Sequence, residues 1–239
     1  MFSYNKNFLT YGCNNDFIDT TEHCKLNEYK KLNECSRSQL SKSVISIKQS
    51  PRKYNFSINT CNVNPFNNTV KRGAAGACIY SIIDNKIHVL LGLEYNGEWN
   101  FAMGKREPDE TLIETATREL NEEMHINISP RDLLTYPSCA DTQMMDNELY
   151  HILLIYFVEL PFFIPSKAFS EKVKNVIDSD SKYLTMLDYK WIPLEDILDT
   201  TNKWLTLKDN TTIKLRRCSR SILRLANKKN IFKHILSQK

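Results

Sequence analysis

Long apolar runs are missing from this chain of 239 residues. Its most apolar stretch, ILLIYFVELPFFI, is broken by Glu159 and Pro161 and falls well short of the roughly 20 residues that a membrane-spanning helix needs. The N-terminus is rich in Asn, Tyr and Cys but has neither a basic start nor an apolar core, so it does not read as a targeting peptide. Tight cysteine pairs are missing as well. The cysteines at 13, 24, 35, 61, 78, 139 and 218 are an odd set with no C-x2-C spacing, which points to reduced, intracellular thiols. The histidines at 23, 88, 125, 151 and 234 stand apart, and His23 beside Cys24 is only a pair, so zinc has no support. Charge of one sign is in small excess. A formal net charge of +4 permits a polyanionic partner without demanding one. There is no internal repeat. The length suits one sizeable core, with or without a smaller appendage.

Texture divides the chain near residue 70. Residues 1–70 are polar and short of branched aliphatics, and read as an irregular appendage of low order. Within them, TTEHCKLNEYKKLNEC has the pattern of one amphipathic helix capped by Thr20 or Thr21, and KSVISIKQ alternates weakly enough for a short strand. Residues 71–239 read as the folded domain. GAAGACIYSII, DNK and IHVLLGLEY predict a β-hairpin turning at Asp84-Asn85-Lys86. A second turn at Asn96-Gly97 leads to a short strand. From Glu110 the run ETLIETATRELNEEMHI is helical, with Leu112, Ile113, Ala116, Leu120 and Met124 forming one apolar stripe. LYHILLIYFVEL is apolar enough for a central strand. DYKWIPLEDILD predicts a strand and then a helix starting near Pro193, with Trp191 in a structural role. The tail from Thr212 reads as one or two basic amphipathic helices.

Glu119, Glu122 and Glu123 fall at i, i+3 and i+4, which stacks three carboxylates on one helical face. On an open surface such pairs repel by a few tenths of a kcal/mol each. A solvated acidic face is the bland explanation, with Arg118 around the corner as the nearest cation. A divalent cation is the sharper one, because Mg²⁺ and Mn²⁺ take hard oxygen ligands and would turn repulsion into ligation. Glu110 and Arg118 are placed to pair across the helix start.

These residues carry a resemblance. Gly104, the spaced Glu110 and the run RELNEEMHI resemble the signature of the Nudix hydrolases, with Gly104, Glu110, Arg118, Glu119, Leu120, Glu122, Glu123 and Ile126 matching. His125 departs from the pattern. The family has glycine there, closing the helix in a left-handed conformation that histidine adopts only at a cost. The resemblance implies an α/β fold, an α/β/α sandwich around a mixed sheet, that hydrolyses a pyrophosphate linked to a nucleoside or similar group. It implies Mg²⁺ or Mn²⁺ on Glu119, Glu122 and Glu123, with the Met103 carbonyl as a further ligand. It implies an Arg118–Glu110 pair, and Glu119 or Glu123 as the base for water unless a distant acidic loop supplies one. Lys105 and Arg106 are candidates for phosphate binding, and Tyr95 and Trp99 for stacking on a base.

The substrate is less legible. EWNFAMGK is similar to the W-x-F-P-K-G-K stretch of mRNA-decapping and dinucleoside-polyphosphate members, with Ala102 and Met103 replacing Pro and Lys. The Asn-, Lys- and Ile-rich composition resembles divergent members from large DNA viruses, the baculovirus form in particular, which implies the host cytoplasm. Between Lys203 and Lys239 the only acid is Asp209, and Lys214, Arg216, Arg217, Arg220 and Arg224 suggest a path for RNA beyond a cap. The competing account is a basic helix held on the sheet by Ile213, Leu215, Ile222, Leu223 and Leu225. Capped RNA is therefore the expected substrate, with ADP-ribose or another dinucleotide as the alternative. A catalytically inactive RNA-binding protein is the distant third reading. No membrane partner is expected.

Overall fold

A computed structural model describes residues 45–47, 73–145, 149–160, 163–176 and 186–238. The expected helix around Thr20, the Asn-rich stretch after Gln49 and the pair His23–Cys24 lie outside the described residues. Within the weakly alternating KSVISIKQ, Ile45–Ser46 form strand β1, which pairs parallel with β6 (Ile126–Asn127).

The hairpin expected from the sequence is β2 (Gly73–Ile83) and β3 (Lys86–Glu94), paired antiparallel. Asp84 and Asn85 both hold positive φ, 50° and 59°, the conformation that a two-residue turn matching strand twist requires. Lys86 is already strand. Beyond Ile79 and Leu90 the two strands part like a fork. The chain fills the gap with β4 (Glu98–Asn100), which pairs with β3, and β5 (Ala102–Lys105), which pairs with β2. Gly76 makes this approach possible, since a Cβ there would stand 2.0 Å from the Ala102 carbonyl oxygen.

The sheet is mixed. β2 pairs parallel with β8 (Leu149–Glu159), and β8 antiparallel with β7 (Ser138–Met145), so the apolar LYHILLIYFVEL run is an interior strand as its composition predicts. On the other limb of the fork, β9 (Met186–Pro193) pairs with β3. The tail differs from expectation. Thr212–Leu215 is strand β11, not helix; it pairs antiparallel with β10 (Trp204–Thr206) and parallel with β4. Alternation explains this: Ile213 and Leu215 are buried while Thr212 is exposed, a period of two that the surrounding basic residues mask. Helices α5 (Arg217–Lys228) and α6 (Ile231–Ser237) follow, after the short α2 (Pro130–Leu133) and α4 (Leu194–Asp199) earlier in the chain.

Strand alternation sends one set of side chains to each face of the sheet. Cys78, Tyr80, Val89, Leu91 and Phe157 join Ile222, Leu223, Ala226 and Phe232 of α5 and α6 in one core, where Phe157 and Phe232 meet edge to face at 5.2 Å. On the other side, α1 (Leu112–Met124) lies against β2 and β5. Its buried residues Leu112, Ile113, Ala116, Leu120 and Met124 are the stripe read from the sequence. The result is a mixed sheet between helices. Trp191 takes its structural role by donating its indole N–H to the Ile164 carbonyl at 2.7 Å. Among the described residues no helix is long and apolar enough to cross a membrane.

Candidate active site

The helix that carries the glutamates starts at Leu112, two residues later than periodicity suggests. Thr111 and Glu114 form a reciprocal capping box: the Thr111 hydroxyl accepts from the Glu114 N–H at 3.3 Å, and the Glu114 carboxylate accepts from the Thr111 N–H at 2.8 Å. The T-x-x-E signal was present in the sequence. Glu110 is thereby left outside the helix and turned back toward it. There it accepts from Arg118 Nε at 2.6 Å, from Arg118 Nη2 at 3.1 Å and from the Thr115 hydroxyl at 2.9 Å. Burial alone would raise the Glu110 carboxyl, but the bonds from Arg118, Glu107 and Thr115 outweigh it and hold the group below the ordinary range.

Arg118 is not around the corner from the carboxylates. It lies among them. Its Nη1 donates to Glu119 at 2.7 Å and to Glu122 at 3.0 Å, and its Nη2 reaches the Lys105 carbonyl at 3.1 Å. One guanidinium thus ties the helix, the loop before it and the end of β5 together. Hydrogen bonds to Glu110 are the largest reason its pKa is raised.

The three stacked carboxylates differ in environment. Glu119 is buried, at 8% exposure, and rests against β5 where Gly104 has no side chain; a Cβ on Gly104 would lie 1.9 Å from Glu119 Oε1. Burial pushes its carboxyl up, while Arg118 pulls it back only in part. Glu122 faces solvent. Glu123 is half-buried and accepts from the Met103 N–H at 3.0 Å. Burial first, and the charge of Glu119 second, push Glu123 up to about 8. Two further charges bear on Glu123: Glu94 raises it and Arg216 lowers it. These two pair with each other at 2.5 Å, and Glu94 also accepts from Asn100 Nδ2 at 2.6 Å.

The donors suit a hard divalent cation. They are carboxylate oxygens, with the Lys105 carbonyl on the same guanidinium, and Glu119 and Glu122 already converge on a single cationic nitrogen. Glu123 bonds to backbone instead, and among the described residues no three His, Cys, Asp or Glu side chains converge closely enough to hold an ion as they stand. The chemistry of the set fits Mg²⁺ or Mn²⁺: Glu119 and Glu122 would need to exchange Arg118 for the ion, while Glu123 has one oxygen beyond its bond to Met103.

The helix ends at His125, with φ 50° and ψ 34°, the left-handed cap expected of the glycine that it replaces. Its N–H closes onto the Leu120 and Asn121 carbonyls. Ile126 is buried and pairs with Ile45 of β1, and Leu120 is fully buried.

Other expected contacts are redistributed. Lys105 is exposed at the end of β5. Arg106 turns inward, donating to the Glu110 and Pro108 carbonyls at 2.5 and 3.2 Å, with its Nε buried and unpartnered. Trp99 is 8% exposed, a core residue and not a stacking platform, because β4 is sandwiched between β3 and β11; Tyr95 is 66% exposed at the adjacent turn. The basic stripe is not an open track either. Lys214 pairs with Glu98 at 2.8 Å, Arg216 with Glu94, and Arg224 donates to the Thr200 carbonyl. Arg220 has Nη1 buried without a partner, and Arg217 is exposed. The placement of Arg216 beside the carboxylates was invisible in the sequence, since the bond joins residues 122 apart.

The family model of the NUDIX domain matches residues 73–211, more than half of the chain. Comparison with curated protein sequences returns no match. Among solved structures, the chain is similar to an Ap4A hydrolase of C. elegans in a binary complex, at 20% identity over 66% of this chain and 98% of that one, with a TM-score of 0.41. It is similar to the NUDIX domain of Shewanella oneidensis NrtR complexed with ADP ribose, at 18% identity over 65% and 86%, TM-score 0.39. A MutT/nudix family protein from Enterococcus faecalis aligns over 91% of this chain and 76% of its own, at 12% identity and a TM-score of 0.43.

Proposed function

Starting from a chain that belongs to the Nudix hydrolase family, and so is a pyrophosphohydrolase of nucleoside-diphosphate-like substrates, we propose that Glu119, Glu122 and Glu123 hold the divalent ions of its reaction. The observation that carries this reading is three carboxylates stacked on one helical face, with Glu119, buried, and Glu123, half-buried, against the strand that carries Met103 and Gly104. In an extended strand the N–H and C=O of one residue point to the same side. The Met103 N–H meets Glu123, which supports the carbonyl of the same residue as the further ligand. Bound Mg²⁺ or Mn²⁺ supplies the positive charge that lets these carboxylates face an anionic pyrophosphate, and acidifies water.

The chain's own groups do the rest. Arg118, fixed by Glu110, ties the helix to the Lys105 carbonyl at the end of β5 and so holds the glutamate face against that strand. The Met103 N–H holds one oxygen of Glu123, leaving the other to take a proton from the attacking water, with Glu119 as the second candidate for this role. The water oxygen forms a bond to one phosphorus as the bridging P–O bond breaks, and its electron pair leaves with the departing phosphate. Lys105, exposed at the site's edge, contacts phosphate.

Capped RNA is the finer reading. The EWNFAMGK stretch and the cations of the tail support it, with Arg217 and Arg220 as the RNA contacts and Tyr95 as the stacking surface. The internal bonds of Lys214, Arg216 and Arg224 favour the second reading, a free substrate such as ADP-ribose, which needs no phosphate track. Cap-labelled RNA, free cap dinucleotide and ADP-ribose, offered side by side with Mg²⁺ or Mn²⁺, separate the two by kcat/KM. Capped RNA is expected to lead; preference for ADP-ribose over both cap substrates would move the assignment to the second reading.

A further inference from the structure

The last turn of α1 is gripped from outside the helix. Carbonyls at a helix end have no partner within it. Here the Glu123 carbonyl accepts from the hydroxyl of Tyr189, a buried residue of β9 that lies 66 positions downstream. The His125 carbonyl accepts from the Ile45 N–H of β1 at 3.0 Å.

The Tyr189 hydroxyl is placed by elements other than α1. Its ring meets Phe169 of α3 (Ser166–Val176) edge-on at 4.9 Å, with 67° between the planes. Its N–H donates to Ser170 Oγ at 3.3 Å, and that hydroxyl donates in turn to Asp188 at 2.7 Å. Phe169 and Ser170 are buried as well. A rigid surface of β9 and α3 therefore holds the backbone of Glu123, while β5 holds its carboxylate through Met103. Both ends of one residue are fixed by different strands.

We propose that Tyr189 is a positioning residue for Glu123: its hydroxyl sets the register of the last helical turn so that the carboxylate meets metal and water at a fixed place. Sites of this kind need their groups held to about 0.5 Å, which a helix end fraying into solvent does not provide. The inference rests on the reading of Glu123 given above. If Tyr189 only seals the helix end, its hydroxyl matters for stability and for nothing else.

The test uses the full chain with Tyr189→Phe, which removes one oxygen, beside Ile235→Val in the core under α6 as a control for loss of stability. Mn²⁺ affinity is read from the EPR signal of free Mn²⁺, and kcat and KM are measured well below both melting transitions. Tyr189→Phe is expected to weaken Mn²⁺ binding and lower kcat, each by about 10-fold or more, with KM within about twofold of wild type. Ile235→Val should lower Tm alone. Wild-type Mn²⁺ affinity and kcat in Tyr189→Phe would overturn the proposal. Glu123→Gln, run in parallel, separates the two levels. If it loses both quantities while Tyr189→Phe does not, only the positioning role falls. If Glu123→Gln itself behaves as wild type, the reading of the site falls with it.

Discussion

Stripped of divalent ions, the protein should lose thermal stability as pH rises from 7 to 8. The perturbation acts on Glu123, which burial and the neighbouring Glu119 push up to about 8 from an ordinary 4.5. A carboxyl with a raised folded-state pKa binds its proton more tightly in the folded chain than in the unfolded one. Its penalty is absent below about 4.5, grows as pH rises, and levels off above about 8. One proton corresponds to about 1.4 kcal/mol per pH unit within that window. For a chain of this size each kcal/mol moves Tm by about 2–4 °C. Glu123 alone thus predicts a fall of roughly 3–5 °C per pH unit near pH 7, flattening as pH passes 8, and Glu119, raised for the same reason, adds to it.

The choice of window matters. Burial lowers the pKa of His88 and His125, so their folded forms resist protonation and their contribution rises with pH toward the ordinary value of 6.5. Above about 7 that opposing trend is complete. Differential scanning fluorimetry in EDTA at closely spaced pH values measures the slope. Mn²⁺ at saturation should abolish it, because a ligated carboxylate stays ionised, and Glu123→Gln should abolish most of it without metal. A metal-free Tm that is flat or rising between pH 7 and 8 would refute the electrostatic reasoning.

Three further outcomes can be checked. Gly104→Ala drives a methyl group into Glu119 and should lower kcat by about 10- to 100-fold; unchanged turnover would show that the carboxylate need not rest on the strand. His125→Gly relieves a left-handed histidine, so Tm should rise by no more than about 4 °C, corresponding to a gain below about 1 kcal/mol, with the pH–rate profile unchanged; a selective loss of rate at low pH would make His125 a phosphate contact. Reversing the charge of Arg217 and Arg220 should weaken capped-RNA binding and flatten its salt dependence while sparing ADP-ribose hydrolysis; an unaltered salt slope would remove the tail from RNA recognition.

Legibility in the sequence followed the range of the interaction. The hairpin turn at Asp84-Asn85, the stripe of Leu112, Ala116, Leu120 and Met124, and the trio of glutamates were readable because helix and strand periods are local. The pair of Arg118 with Glu110 was readable for the same reason, eight residues apart across a capped helix start. The strand TIKL was not, because four residues amid lysines and arginines carry too little alternation to outweigh a helical pattern beginning just after them. Trp99, Arg216 and Tyr189 were hidden for another reason. Each owes its role to pairing between distant segments, β11 on β4, Arg216 on Glu94, and Tyr189 on the last turn of α1.

The claim on which the rest depends is that the glutamate trio works as one metal-dependent centre. Turnover of the best pyrophosphate substrate by Glu122→Gln and Glu123→Gln, at saturating Mg²⁺ and with folding checked by circular dichroism, tests it most directly. The account predicts that each variant keeps its fold and loses at least about 100-fold in kcat, the order of magnitude expected for a lost ligand or general base. Near-wild-type turnover by both would contradict it.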